Sequence, residues 1–314
     1  MGRVATIAEL GERGALERFL PYLTQPRNVL VGPGDDAAVL RAGSELVVTT
    51  DTMFEGADFR HDWSTFADLG TKAVTTNLTD IAAMGAEPTG LVIALGVRGS
   101  IDVLGLEEFA QAANRTLQKL APGAGVVGGD LSTSERTVIS VTALGDMRGR
   151  TPVLRNGARA GDRIVVAGEL GMSGAGLALL AAGEHPVDEL RRRHPRLIEA
   201  HVAPLAPVHL GPALADAGAT SMLDVSDGLV LDAGRIAKAS GVEMRFDKAA
   251  LEAFGVELEH VLFGGEDHAL LATLPQESTP PEGVRIVGEV RGGEAQVTLD
   301  GEPVRERGWD PFRR

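Results

Sequence analysis

Three β-branched apolar runs, ELVVTTDTMF (45–54), GLVIALGV (90–97) and RTVISVTALGD (136–146), are separated by two stretches with helical spacing, STFADLGTKAVTTNLTDIAAMG (64–85) and GLEEFAQAANRTLQKLA (105–121). Strands bounded by turn residues and interleaved with amphipathic helices must pack as layers. The alternation therefore predicts an α/β or α+β chain, with helices laid on mixed sheets. Gly85 stands where the first of these helices needs a C-cap. The texture recurs downstream, with strands at RIVVAG (163–168), HALLATL (268–274) and RIVGEV (285–290), a helix at GMSGAGLALLAAG (171–183) and a long helical stretch after SDGL (226–229). At 314 residues the chain exceeds what one hydrophobic core usually covers. The basic, turn-rich segment MRGRTPVLRNGARAGD (147–162) marks the boundary, giving expected domains at 1–148 and 149–314.

Composition removes several classes. There is no cysteine, which suits a reducing compartment and excludes thiolate nucleophiles and zinc-thiolate sites. The first twenty residues mix acids and bases and read as a short surface helix rather than a signal peptide. No run reaches the roughly 18 apolar residues of a membrane span, so a soluble cytoplasmic protein is expected. A net charge of -14 argues against nucleic acid as a partner.

The acids hold the chemistry. Asp35 and Asp36 stand side by side in VGPGDDAAVL; GPGDDA has the G-x-G-x-x-A spacing of a dinucleotide loop, but a strand-turn-strand pattern follows it where a helix should open. An Asx turn accounts for the pair equally well. Asp51 is expected to end its strand, with Thr49 and Thr50 offering oxygens before it. Asp80 shares a helical stripe with Leu69, Ala73, Thr76 and Met84, so its carboxylate points where the apolar face points and needs a partner. Asp130 is expected to end a short apolar strand after two glycines, and Asp224, Ser226 and Asp227 crowd a strand-to-helix junction where one N-cap would suffice. Glu266 and Asp267 follow another pair of glycines. Acids recurring beside glycine at element ends in both halves build a cleft. Two such carboxylates at ~4 Å repel by about 4 kcal/mol at an effective dielectric of 20. Hard cations such as Mg²⁺ relieve that repulsion and let an anionic nucleotide enter, an arrangement suited to phosphoryl transfer. Neither a Walker loop nor the protein-kinase signatures are present.

VGPGDDAAVL, VVTTDTMFEG, KAVTTNLTDIAAMGAEP, VVGGD, LRNGARAGDRIVVAGELGMSGAGLALL, LDVSDGL, FGGEDHALLAT and GWDPF resemble, in this order and across nearly the whole chain, the thiamine-monophosphate kinases of the aminoimidazole ribonucleotide synthetase superfamily. The resemblance implies a two-domain aminoimidazole ribonucleotide synthetase-like α/β (α+β) fold and a homodimer formed through the N-terminal halves. It implies ATP and several Mg²⁺ ions held between the domains, and transfer of the γ-phosphoryl group to thiamine monophosphate. Carried over by position, it makes Asp35, Thr49, Thr50, Asp51, Asp80, Asp130, Asp224 and Asp227 metal ligands. Gly129, Asp130, Arg155 and Ser226 become ATP contacts, and Glu266 and Trp309 thiamine contacts. Arg155 suits a polyphosphate, with a linker salt bridge as the alternative. Trp309 suits a thiamine ring and equally a tail anchor. Glu266 suits a substrate contact and equally an orienting role in its turn.

Three departures bear on substrate recognition. EGADF places Asp58 where the family usually has a histidine near the substrate, with His61 three residues on reading as a surface imidazole. His268 replaces a common tyrosine, and GGDLSTS replaces GGDTT. Within the superfamily, selenophosphate synthetase and the hydrogenase-maturation dehydratase need cysteines this chain lacks. An aminoimidazole ribonucleotide synthetase-like enzyme and a non-catalytic ATP-Mg²⁺ binding protein remain as alternatives.

Overall fold

In the computed structural model, which describes residues 5–31, 39–43 and 45–309, the expected elements form two units. The first comprises Met1–Ile81 and Glu87–Arg148; the second comprises Ala82–Ala86 and Gly149–Arg314.

The first unit opens with α1 (Ile7–Phe19), capped by Thr6 and broken at Gly11, whose φ of 69° only glycine adopts freely. Its Ile7, Ala15 and Phe19 are buried, so one face of this N-terminal helix is core rather than surface. A small antiparallel pair, β1 (Val29–Val31) and β2 (Val39–Leu40), follows. Next come β3 (Leu46–Phe54), α2 (Phe66–Ala83), β4 (Glu87–Val97), α3 (Val103–Leu120), β5 (Gly125–Thr133) and β6 (Val138–Asp146). The sheet order is β3-β6-β4-β5, with only β4 and β5 parallel. Alternation puts Ile139, Val141 and Ala143 of β6 with Leu91, Ile93 and Leu95 of β4 on one buried face. The other face carries Leu46 and Val48, each 56% exposed, and Phe54, 51% exposed. The helices approach closely because Gly70 of α2 has no side chain: a Cβ there would lie 2.4 Å from the Phe109 carbonyl oxygen of α3.

The second unit contains β7 (Arg163–Ala167), α4 (Met172–Ala182), α5 (Val187–Arg193), α6 (Pro195–Val202), α7 (Leu210–Asp216), β8 (Ser221–Val225) and α8 (Leu229–Ser240). It continues with β9 (Glu243–Phe246), α9 (Lys248–Glu252), α10 (Leu258–Phe263), β10 (Ala269–Leu274), β11 (Val284–Arg291), β12 (Gln296–Leu299) and β13 (Glu302–Pro303). Its seven strands run β13-β12-β9-β11-β7-β10-β8, antiparallel except for β9 with β12. Ile164 and Val166 of β7, Leu271 of β10, Ile236 of α8 and Val261 of α10 share one core. The central strands are apolar at nearly every position because both faces are covered: β10 is buried along its whole length.

Two boundaries differ from the sequence reading. Asp51 and Asp130 do not end their strands. β3 runs on to Phe54 because β6 offers partners as far as Val138, and β5 runs on to Thr133 because β4 pairs with it as far as Val97.

Candidate active site

The second unit gathers its chemistry around the turn between β8 and α8. Helix α8 opens at Gly228, whose φ is 115°, without a side-chain cap at that position. Instead of Ser226 or Asp227 capping the helix, the buried Asp232 reaches back from inside it. Its carboxylate accepts the main-chain N–H groups of Ser226 at 3.1 Å and Asp227 at 2.9 Å, and takes an ion pair from Arg235. Burial pushes the Asp232 carboxyl up to about 7; the Asp227 N–H and Arg235 oppose the rise, and the charges of Asp224 and Asp227 add to it. Arg235 also bonds Asp227 Oδ2 at 2.5 Å, while Asp224 Oδ2 lies 3.2 Å from His268 Nδ1.

The Gly264–His268 turn lies against this loop. The Glu266 N–H donates to the Ser226 carbonyl at 2.8 Å and the His268 N–H to the Val225 carbonyl at 2.9 Å. Glu266 (φ 63°) and His268 (φ 51°) both occupy the left-handed region, which costs about 1–3 kcal/mol for a side-chain-bearing residue and persists only where surrounding bonds impose it. Asp267 imposes much of it. Its carboxylate accepts the N–H of Gly171 at 2.6 Å and of Ser173 at 2.9 Å, binding the turn to the start of α4. Burial pushes that carboxyl up to about 6, against the pull of the two N–H groups. Glu266 Oε2 lies 3.4 Å from His201 Nδ1, which is also 3.1 Å from Ser173 Oγ. Both contacts use the same imidazole nitrogen and Ser173 is fully buried, so the trio is not a nucleophilic relay. Trp309 completes the group: its main-chain N–H donates to the Asp227 carbonyl at 3.0 Å.

In the first unit, Thr49 Oγ1 donates to Asp80 Oδ2 at 2.8 Å, joining β3 to α2, and Asp51 follows Thr49 on the same side of β3. Thr50 lies on the other side, its hydroxyl bonded to the Val141 carbonyl. Asp130 shares a cross-sheet row with Ala94, Ser140 and Thr52, so the register does not bring it to the Thr49–Asp80 side; its Oδ2 accepts from Ser132 Oγ at 2.6 Å. Gly129 is needed for packing as well, since a Cβ would sit 2.0 Å from the Ile93 carbonyl oxygen. Arg155 is exposed and makes no ion pair with a described residue. Asp58 Oδ2 accepts the Phe54 N–H at 2.7 Å within its own turn. His61 is not a surface imidazole: it is half-buried between Phe59 and Phe66, its Nε2 lies 2.9 Å from Thr137 Oγ1, and burial pulls its pKa down. Asp35 and Asp36 lie outside the described residues.

The donor chemistry fits a hard divalent ion. Thr49, Asp51 and Asp80 present only oxygens, and Asn77, one turn before Asp80, keeps a buried Oδ1 with no hydrogen bond among the described residues. Among those residues no three acidic or histidine side chains close a complete site. Sequence reasoning missed Asp232, Arg235 and His201. The first two were signalled by an acid and an arginine one turn apart on the helix after SDG; His201, some 65 residues from Glu266, carried no local signal.

Two family models cover this architecture. The N-terminal domain of AIR synthase related proteins matches residues 34–147 and the C-terminal domain matches 159–297. The fold is thus of the AIR synthase-related class. The thiamine-monophosphate kinase of Mycobacterium tuberculosis is 42% identical over 321 residues, covering 98% of this chain and 93% of the relative. A solved structure of AaThiL complexed with AMPPCP and TMP superposes with a TM-score of 0.76 at 33% identity, covering 88% of this chain and 90% of that one. The thiamine-monophosphate kinase of Stenotrophomonas maltophilia superposes with a TM-score of 0.80 at 30% identity, covering 92% and 97%. The chain belongs to the thiamine-monophosphate kinase family.

Proposed function

We propose that this chain transfers the γ-phosphoryl group of ATP to the phosphate of thiamine monophosphate, in the cytoplasm, giving thiamine diphosphate and ADP. The bond from the γ-phosphorus to the β,γ-bridging oxygen breaks, and a new bond forms from the acceptor phosphate oxygen to the γ-phosphorus. The observation that carries the reading is a convergence on one loop: Glu266, assigned to the thiamine end, bonds the Ser226 carbonyl, and Trp309 bonds the Asp227 carbonyl. Residues assigned to the nucleotide and to the acceptor therefore meet through main-chain bonds, which is the positioning that phosphoryl transfer requires.

In this reading Thr49, Asp51, Asp80, Asp224 and Asp227 hold magnesium, together with Asp35, and Thr50 and Asp130, which lie on the other face of the sheet, serve a separate magnesium ion. Magnesium, when bound, neutralises polyphosphate charge. Arg155, free of described ion pairs, grips the phosphates, and Gly129 and Ser226 approach the nucleotide. Asp227 bonds Arg235, and Asp224 bonds His268, through Oδ2, so each can offer its other carboxylate oxygen as a ligand while keeping that partner. Asp58, Glu266 and Trp309 define the acceptor end. The half-exposed Leu46, Val48 and Phe54 of the four-stranded sheet support a homodimer in which a second copy covers that face.

ADP release with thiamine monophosphate, compared with thiamine and with an aminoimidazole precursor, tests the proposal. Turnover specific to thiamine monophosphate, lost in Asp80→Asn and Asp130→Asn with the fold retained, supports it. Turnover only with the precursor would instead identify an aminoimidazole ribonucleotide synthetase-like enzyme. Nucleotide binding without turnover would identify a sensor.

A further inference from the structure

We propose that Arg307 and Gly308 form a latch that seats Trp309 on the Asp227 loop and so presents its indole to a cationic heteroaromatic ring. The inference rests on reading Trp309 as a thiamine contact. Four consecutive residues, 306–309, are tied to the second unit. Glu306 pairs with Lys238 of α8 at 2.7 Å. Arg307 pairs with Glu259 of α10 at 3.2 Å, and its guanidinium carbon lies 4.0 Å from the centre of the Phe263 ring. Gly308 passes so close to α8 that a Cβ would stand 2.5 Å from the Asp227 carbonyl oxygen and 2.7 Å from Leu231 Cδ2. Trp309 then donates its main-chain N–H to that same carbonyl at 3.0 Å.

No tie in this set uses the indole. Trp309 stays 53% exposed although the three residues before it are held in place. A tryptophan serving only to anchor the tail would bury its ring, because that apolar area is what an anchor has to offer. The arrangement does the opposite, fixing the backbone and leaving the aromatic face open beside an aspartate loop. An electron-rich aromatic face attracts a cation, which is the chemistry of a thiazolium or protonated aminopyrimidine. Gly308 and Arg307 act through Trp309 and are positioning residues.

Trp63 and Trp309 are the two tryptophans of the chain. In a Trp63→Phe background, Trp309 alone reports, and its emission is expected to change on titration with thiamine monophosphate. Adding Gly308→Ala or Arg307→Ala should weaken that titration and raise KM for thiamine monophosphate by about tenfold, while KM for ATP moves by less than about twofold. Arg307→Lys, which keeps a cation over Phe263, should recover most of the affinity. Unchanged KM and titration in both Gly308→Ala and Arg307→Ala, alongside a raised KM in Trp309→Ala, would overturn the latch while leaving Trp309 as the contact. An unchanged KM in Trp309→Ala would remove the premise and the inference with it.

Discussion

Replacing Asp267 by asparagine should make the protein less sensitive to rising pH, contrary to the usual effect of removing a hydrogen-bonded aspartate. The carboxylate accepts two N–H groups at the start of α4, and that alone would lower its pKa, yet burial dominates and pushes it from 3.8 up to about 6. The sign follows from linkage. Below pH 4 the carboxyl is protonated in both folded and unfolded chains. Between 4 and 6 the unfolded chain loses its proton while the folded one keeps it, so stability falls until pH exceeds 6. A difference of about two pK units amounts to about 3 kcal/mol, reduced to about 2 kcal/mol by the water that reaches this half-buried residue. Urea unfolding of the parent and Asp267→Asn at pH 4.5 and 7.5 isolates the effect, since other titrating groups cancel in the difference. The variant should gain about 2 kcal/mol relative to the parent between the two pH values. Asp267→Ala, which orphans both N–H groups, should lose about 3 kcal/mol or more at either pH. A parent–Asn difference that is flat with pH, or that grows in the parent's favour as pH rises, would refute the argument that burial outweighs the N–H bonds.

Two further outcomes test the first unit. Gly70→Ala should push α2 from α3 and cost about 2 kcal/mol, read as a lowered thermal midpoint, because the new methyl meets the Phe109 carbonyl rather than a movable side chain. Val48→Lys combined with Phe54→Lys, both on the open sheet face, should abolish the proposed dimer in sedimentation while leaving the circular dichroism of the unit intact.

The fold was legible where periodicity was strong. The strands at 46–54, 87–97 and 138–146 and the helices at 66–83 and 103–120 lie where alternation and helical spacing put them. What local pattern could not supply was where a ladder ends. Asp51 and Asp130 look like terminators, yet neighbouring strands carry β3 and β5 three residues past them. At the site, Asp224, Asp227 and Glu266 were legible as candidates because they stand beside glycine or at an element junction, whereas Asp51 and Asp80 lie inside β3 and α2. Their division of labour was not. Asp232 looks like an ordinary helix residue, and only the folded turn shows it gathering the N–H groups of Ser226 and Asp227. His61 reads as polar surface because its enclosure depends on Thr137, 76 residues away, and on the rings of Phe59 and Phe66.

The backbone at Glu266 and His268 has a bearing on attempts to harden this molecule. Both positions adopt dihedrals that glycine tolerates far better, so a screen for heat resistance would favour glycine at each. Accepting the first replacement would delete a carboxylate that the kinase reading places on the acceptor, and accepting the second would strip the imidazole from Asp224. Thermal selection and phosphoryl transfer therefore pull this pentapeptide in opposite directions, and a robust variant has to be sought elsewhere in the chain.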